Sequence, residues 1–479
     1  MLDKILNNKP IYNTLLFLGF LFWCYLVYRN AIFSMFNNDE ILAWEIAHDL
    51  SFNEIVQLMH YEGHSFLWYM VLKPFIFLTD KIPALFPAVL KYINLVFIGA
   101  AMLLLWLKAP INIFLKLLIS CTSPFVVTFP SNARPYGLLI LLLFIIVIQY
   151  KDRLKHPLIY SVLLLLLANT CFNGLAGAIF LSVSFIYELY KENKSNLVSS
   201  KFIVPVFIIC SSFLMLAIEW IPIHTPVHIK YFGTVNCFRD FFLPAYSSKL
   251  YVLTSLCIFL PLMQIAAIIQ FANMKNKWFL LFAAYILNVF LIFYLVVAPG
   301  RPHHLYFIYI YFLVIYWLML DNSEEFVQNK INFYSTTGII TLLTIIYLIP
   351  FRSPEFWFIG DMLYKDSSNI IKTIIPKGSR VYLIPDYGSM AAHDLKNDYD
   401  LRTHYGHKIT SLEAYESVYQ DYYLRPQDLY VPEGQKAYYI APVQYVQSME
   451  IQKYFDIPNC IVINGVYYLC TLESQNTEE

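Results

Sequence analysis

The chain has 479 residues, of which 58% are hydrophobic and only 14% charged, against about 25% charged in a soluble globular domain. Its 33 Lys and Arg balance 33 Asp and Glu, so there is no basic footprint for nucleic acid, and the pattern is that of a polytopic α-helical membrane protein.

A membrane-spanning helix needs roughly 20 mostly apolar residues. Runs that meet or approach this length predict eleven spans, at 11–30, 86–107, 112–129, 136–150, 158–171, 174–190, 202–218, 250–272, 278–298, 304–320 and 332–350. Lys4 and Lys9 precede the first run and no small-residue cleavage site follows it, so it reads as an uncleaved helix. The segment "SFLWYMVLKPFIF", 65–77, is too short to cross and reads as interfacial or re-entrant. Runs 158–171 and 174–190 meet at "NTCFNGLAG" and predict a tight hairpin whose tip stays below the membrane surface.

Lys and Arg concentrate in cytoplasmic loops. By that rule Lys4, Lys9, "YKDRLKH" at 150–156, Lys191, Lys194, Lys275 and Lys277 belong inside, and eleven crossings put them all on one side. The acidic "DNSEEFVQNK", 321–330, is the exception. Outside fall a first loop at 31–84, a second at about 219–249, and everything after 350. That last segment alternates strand-like "RVYLIP" and "KAYYIAP" with helical patterns, which predicts a small α/β domain. It ends in "CIVINGVYYLC", a hairpin turning at Asn464-Gly465. A two-residue turn sets Ile463 opposite Val466 and points Cys460 and Cys470 to opposite faces, so no disulfide is expected.

Chemistry-bearing residues gather at the outer boundaries. Asp39 and Glu40 leave the first span in "NNDE", followed by Glu45, Asp49 and Glu54, and Glu62 and His64 close the loop in "MHYEGHSFLWY". Arg134 stands in "FPSNARPYGLL", and Arg301, His303 and His304 in "APGRPHH". Segments far apart in sequence and on one face of one membrane make the pattern of a site assembled between helices. A carboxylate there can take a proton from an attacking hydroxyl, and arginine with histidine can hold a phosphate that leaves with its lipid. Within or near the spans, Lys91, Lys116 and Glu188 read as few and unpaired charges. With no internal repeat visible, they argue against a transporter.

The order of "NNDE", "EGHSFLWY", "ARPYGL" and "GRPHH" ahead of a soluble outer tail resembles the membrane glycosyltransferases of the GT-C fold, and is most similar to the protein mannosyltransferase and aminoarabinose transferase group. The resemblance implies a GT-C-like bundle over 1–350 and an extracytoplasmic α/β domain over 351–479, in a bacterial plasma membrane with the N-terminus in the cytoplasm. It further implies inverting transfer of a sugar from a polyprenyl phosphate to a hydroxyl of a glycolipid, glycan or protein. Asp39 and Glu40 would be the catalytic pair, with Asp39 as base, and Arg134, Arg301, His303 and His304 the phosphate contacts. The group's His-Pro-Pro segment falls on His64, Ser65 and Phe66, where both prolines are missing. No cofactor is required for such a transfer. In the alternative, Asp39, Glu62 and His64 hold a divalent metal, as some enzymes of that fold do. Competing readings are a polysaccharide polymerase or ligase using a polyprenyl diphosphate and a lipid or solute transporter.

Overall fold

The computed structural model describes residues 9–33, 38–60, 65–220, 277–296, 306–348, 360–383, 390–403, 407–411, 413, 415, 436–442, 460–465 and 467–473. The chain is mostly helical, with a small sheet near its C-terminus. Helices cover ten of the eleven expected spans: α1 (Lys9–Phe33), α5 (Ala88–Lys108), α6 (Ile113–Ser120) with its continuation, α7 (Tyr136–Gln149), α8 (Pro157–Ala168), α9 (Phe172–Glu192), α10 (Ser200–Trp220), α11 (Lys277–Val296), α12 (Tyr306–Asn322) and α13 (Lys330–Leu348). The remaining span, 250–272, lies outside the described residues. Among the described residues four helices, lying in α1, α5, α9 and α10, are long and apolar enough to cross a bilayer.

The run 112–129, expected as one span, is broken. After α6 the chain bends by 57° into a π-helical turn, Pro124–Thr128, that leads into one α-helical turn at Phe129–Ser131. Pro124 and Pro130 have no N–H to continue the ladder, and side chains from neighbouring helices take up freed carbonyls. Trp23 donates to Phe125 O at 3.3 Å and Asn30 to Val126 O at 3.3 Å. Asn94 donates to Phe129 O, Pro130 O and Asn132 O at 2.5, 3.1 and 3.0 Å. Irregular backbone at membrane depth persists only where protein satisfies it.

α12 sits at the centre, with every residue from Phe307 to Met319 buried, as befits a helix that is apolar all round. Its tyrosine hydroxyls bond outward: Tyr309 to Thr344 at 3.0 Å, Tyr316 to Thr337 at 2.8 Å and Tyr311 to Asn173 O at 2.7 Å. Gly177 permits the last, since a Cβ there would lie 2.2 Å from the Tyr311 hydroxyl. α1 is peripheral, turning Trp23, Val27 and Ala31 inward and Phe17, Leu21, Phe22 and Tyr25 outward.

Contacts sort the loops into two groups. At one end of the bundle Arg153 grips Glu188 through Nε and Nη2 at 2.6 and 2.7 Å, Lys151 pairs with Asp321 at 3.6 Å, and Trp278 packs on Tyr150 at 5.7 Å. The acidic 321–330 stretch therefore begins beside the basic 150–156 loop, and the exception to the charge rule has a local partner. The other end gathers Asp39, Ser65, Ser131 to Arg134, Asn169 to Asn173 and Glu219 through the contacts described below.

The first loop forms α2 (Asn38–Asp49), α3 (Phe52–Leu58) and α4 (Leu67–Lys81) around a second core of Trp44, Ile46, Leu58, Trp68 and Leu72. Lys73 caps the C-terminus of α2 through Ala47 O and Leu50 O at 2.9 and 2.8 Å, and Ser51 with Glu54 forms a capping box on α3. α4 is the segment expected to lie at the interface, with Trp68, Tyr69, Leu72 and Ile76 buried and Phe77 and Leu78 exposed.

The C-terminal sheet follows α14 (Gly360–Ile374). It comprises β1 (Arg380–Leu383), β2 (Asp400–Thr403), β3 (Lys436–Pro442), β4 (Cys460–Ile463) and β5 (Tyr467–Glu473), in the order β2-β1-β3-β5-β4. β1 runs parallel to both β2 and β3, with α15 (Met390–Leu395) in the crossover to β2, and β5 is antiparallel to β3 and β4. The hairpin corrects the expected register. Asn464 and Gly465 take positive φ, 50° and 70°, but the connection runs three residues, so Ile463 pairs with Tyr467. One residue of slip brings both thiols to one face. Cys460 lies opposite Cys470, their Cα atoms 4.1 Å apart, and the two form a disulfide.

Candidate active site

Adjacent residues on a helix point about 100° apart, and that rotation separates the two carboxylates at the start of α2. Asp39 is exposed, whereas Glu40 is 1% exposed and enclosed by partners. Lys91 of α5 donates to its Oε2 and Oε1 at 2.9 and 3.3 Å, and the Ala133 N–H donates to Oε1 at 2.7 Å. Lys91 also donates to Ser131 O. One buried ion pair thus ties α2, α5 and the turn at 131–134 together. From that turn Arg134, 8% exposed, reaches back with Nη1 to the Asp39 backbone carbonyl at 2.7 Å. The structure therefore brings Asp39, Glu40 and Arg134 to one place, although 95 residues separate the first from the last.

Lys91 was expected to be unpaired and is not, because a charge this deep requires a counter-charge and satisfied protons. The same holds for Glu188, paired with Arg153, whereas Lys116 donates to the neutral Trp106 O at 2.8 Å and has no counter-charge among the described residues. Asn94 is the residue that sequence reasoning passed over, and Lys91 was noted only as a lone charge. Their spacing on an apolar helix marks one polar face turned into the bundle.

The tip of the α8–α9 hairpin supplies the next layer. Arg134 acts electrostatically on Cys171, and the Ser65 hydroxyl meets Asn169 Oδ1 at 3.2 Å. Asn169 Nδ2 donates in turn to Ser212 of α10 at 2.9 Å. The tip is thus buried against Ser65 of the first loop and Ser212 of α10.

Two further acids of the first loop, Glu45 and Asp49, are occupied in docking the sheet. Glu45 bonds to His393 of α15 and to Lys396, Asp49 takes Lys396 at 3.3 Å and the Tyr415 hydroxyl at 2.8 Å, and the His393 ring lies 4.1 Å from that of Phe86. His48 bridges Asp49 at 2.6 Å and Asp80 at 3.3 Å. Burial pushes the Glu45 carboxyl up, but the His393 hydrogen bond and the charges of Lys396 and His393 outweigh it and hold it below its ordinary range. Asp49 is likewise lowered, burial being overcome by His48, Lys396 and Tyr415. The Asp49 hydrogen bond raises His48 against burial. Lys396 is raised too, because the two carboxylate charges exceed its desolvation. With Glu54 spent on its capping box, Asp39 is the exposed member of the set Asp39, Glu40, Glu45, Asp49 and Glu54.

Glu62, His64, Arg301, His303 and His304 lie outside the described residues. Their chain neighbours are placed: Ser65 at Asn169, and Tyr306 edge-on to Phe129 at 6.3 Å. Among the described residues no three His, Cys, Asp or Glu side chains gather as metal ligands, and two members of the proposed metal set, Glu62 and His64, are not among those residues. No protein-family model and no curated protein matches this chain.

Proposed function

We propose that the protein is an integral-membrane glycosyltransferase of the GT-C kind, moving a sugar from a polyprenyl phosphate to an acceptor hydroxyl on the extracytoplasmic face. The observation that carries this reading is the juxtaposition of an exposed carboxylate, Asp39, with a guanidinium, Arg134, bonded to its backbone at the end of an apolar bundle. Asp39 takes the proton of the acceptor hydroxyl as its oxygen attacks the anomeric carbon. The bond from that carbon to the phosphate oxygen breaks, its electron pair leaves with the polyprenyl phosphate, and the sugar inverts. Arg134 stabilises the departing charge, with Arg301, His303 and His304 assigned beside it by resemblance. Glu40 is a positioning residue in this scheme, since Lys91 and Ala133 enclose it.

Two further features support the sidedness. The basic loops join at the end of the bundle opposite Asp39, as cytoplasmic loops should, and a disulfide in the sheet suits an oxidising compartment. The test is Asp39→Asn, which keeps shape and removes the proton acceptor. Transfer from undecaprenyl-phosphate sugars should fall by about 10²-fold to 10⁴-fold while binding of the donor persists. Turnover near wild type in the purified variant overturns the assignment.

A further inference from the structure

Glu219 ends the apolar stretch of α10, two helical turns beyond Ser212 and on the same face. It is 2% exposed. Its carboxylate is hydrogen-bonded to the Ser65 hydroxyl and to the Phe66 backbone N–H, while among the described residues its Oε2 has no partner. The Ser65 hydroxyl also meets Asn169 Oδ1, and Asn169 Nδ2 is already committed to Leu165 O and Ser212. A hydroxyl has one proton for two such acceptors. The Glu219 carboxylate, with about four lone-pair positions, is therefore under-supplied with donors in a place where an unmet carboxylate oxygen is costly. The other buried acids among the described residues at this end have charged partners: Glu40 has Lys91 and the Ala133 N–H, and Glu45 has His393 and Lys396.

Position adds to the argument. Hydrogen bonds join Arg134 to the Asp39 carbonyl, and Asn169 in the hairpin tip through Ser65 to Glu219, with Cys171 of the same tip within electrostatic range of Arg134. A sugar whose phosphate is held at Arg134 extends toward neighbouring groups, and the hairpin tip, whose Cys171 is within electrostatic range of that guanidinium, is one of them. The hydroxyls of a pyranose are neutral donors of the kind Oε2 lacks.

We propose that Glu219 binds the sugar of the donor, its unpartnered Oε2 accepting a hydrogen bond from a ring hydroxyl, an inference that rests on the glycosyl-transfer reading above. The residue then discriminates sugar-bearing lipid from bare polyprenyl phosphate, because a site built to hydrogen-bond a hydroxyl penalises a ligand without one.

Glu219→Gln tests this selectively. Glutamine keeps a carbonyl oxygen for Ser65 and Phe66 but replaces the unpartnered acceptor with an NH₂ donor, so a merely structural role survives it. Ser65→Ala removes the anchor and leaves Oε2 in place. Binding to full-length protein in nanodiscs is measured for undecaprenyl phosphate and for its mannosyl, glucosyl, galactosyl and N-acetylglucosaminyl derivatives. Glu219→Gln should hold bare undecaprenyl phosphate within about twofold of wild type and lose about tenfold or more on the sugar lipid that wild type binds best. Ser65→Ala, which loosens the Glu219 carboxylate without removing Oε2, should weaken binding of the sugar lipid by less than Glu219→Gln does and leave bare undecaprenyl phosphate near wild type. A Gln variant that follows wild type on every lipid, as expected if a resident water fills the position, or that weakens bare and sugar-bearing lipid equally, overturns the assignment. Wild type that binds no sugar lipid better than the bare one removes the glycosyl-transfer reading and this inference with it, a different failure from one in which wild type discriminates and the Gln variant does too.

Discussion

Arg134 is the residue on which enzyme and rival readings part. As a phosphate ligand it works through a planar fork of N–H donors that a lysine ammonium cannot reproduce. As an anchor of a span to lipid headgroups it would tolerate lysine. Arg134→Ala should therefore weaken binding of undecaprenyl phosphate in nanodiscs by roughly two orders of magnitude, the equivalent of losing a charge-assisted contact of about 3 kcal/mol, with Arg134→Lys recovering only part. Equal affinity in all three proteins would return Arg134 to the interface. At this scale the sequence was informative about residue type and silent about pairing. "NNDE" announces two carboxylates, but which of them is sealed depends on Lys91, 51 residues away on another helix. The polar spacing of Lys91 and Asn94 in an apolar run was the available signal.

Among the elements, α2 and α15 make the contact most sensitive to solution conditions. Glu45 and Asp49 have lowered pKa values, so the stability they contribute is fully present above their ordinary values of 4.5 and 3.8 and is lost as pH falls through the lowered ones. His48 is raised, so its contribution is fully present below its ordinary 6.5 and is lost as pH rises through the higher value. Docking of the sheet should thus be strongest between about pH 4.5 and 6.5. Hydrogen exchange of α2 and α15 across pH 3 to 9 should show greatest protection there, and His48→Gln should flatten the alkaline side and, because Asp49 loses its His48 partner, weaken the acid side as well. Lys396→Ala leaves two buried carboxylates facing each other and should cost about 3–5 kcal/mol in a melting experiment, partly restored by adding Glu45→Gln. A Lys396→Ala protein that melts with wild type would remove the ion pairs from any role in docking. Helix positions were legible from apolar runs, whereas two local features were not. The break after α6 turns on Pro124 and Pro130 finding Trp23, Asn30 and Asn94 to satisfy their surroundings, and the disulfide turns on a hairpin loop of three residues where Asn-Gly suggests two.

For the molecule as a whole, the bundle is legible because apolar runs mark its helices, and α12 is central, with Phe307 to Met319 buried on every side. Sidedness rests on Lys and Arg in loops, which the ion pairs Lys151–Asp321 and Arg153–Glu188 join at one end. On a background without native cysteines, single cysteines at Asn132 and Asn397 should react with a membrane-impermeant maleimide in intact cells, and one at Lys155 only after lysis. Protection of the position at Asn397 in intact cells would invert the topology and withdraw the site with it.

The twelve residues of α2 carry Asp39 in the first turn and Glu45 with Asp49 further along, and at 1.5 Å per residue the helix is a rod about 18 Å long. It is pinned at one end by Lys91 and Arg134 and at the other by Lys73 and Lys396. If the glycosyl-transfer reading holds and lipid entry beside Asp39 tilts this rod, the far end, and the sheet that grips it, would move as the other arm of a lever. Coupling of that kind is reciprocal, so an acceptor resting on the sheet would be felt at Asp39 before any of its atoms arrived there.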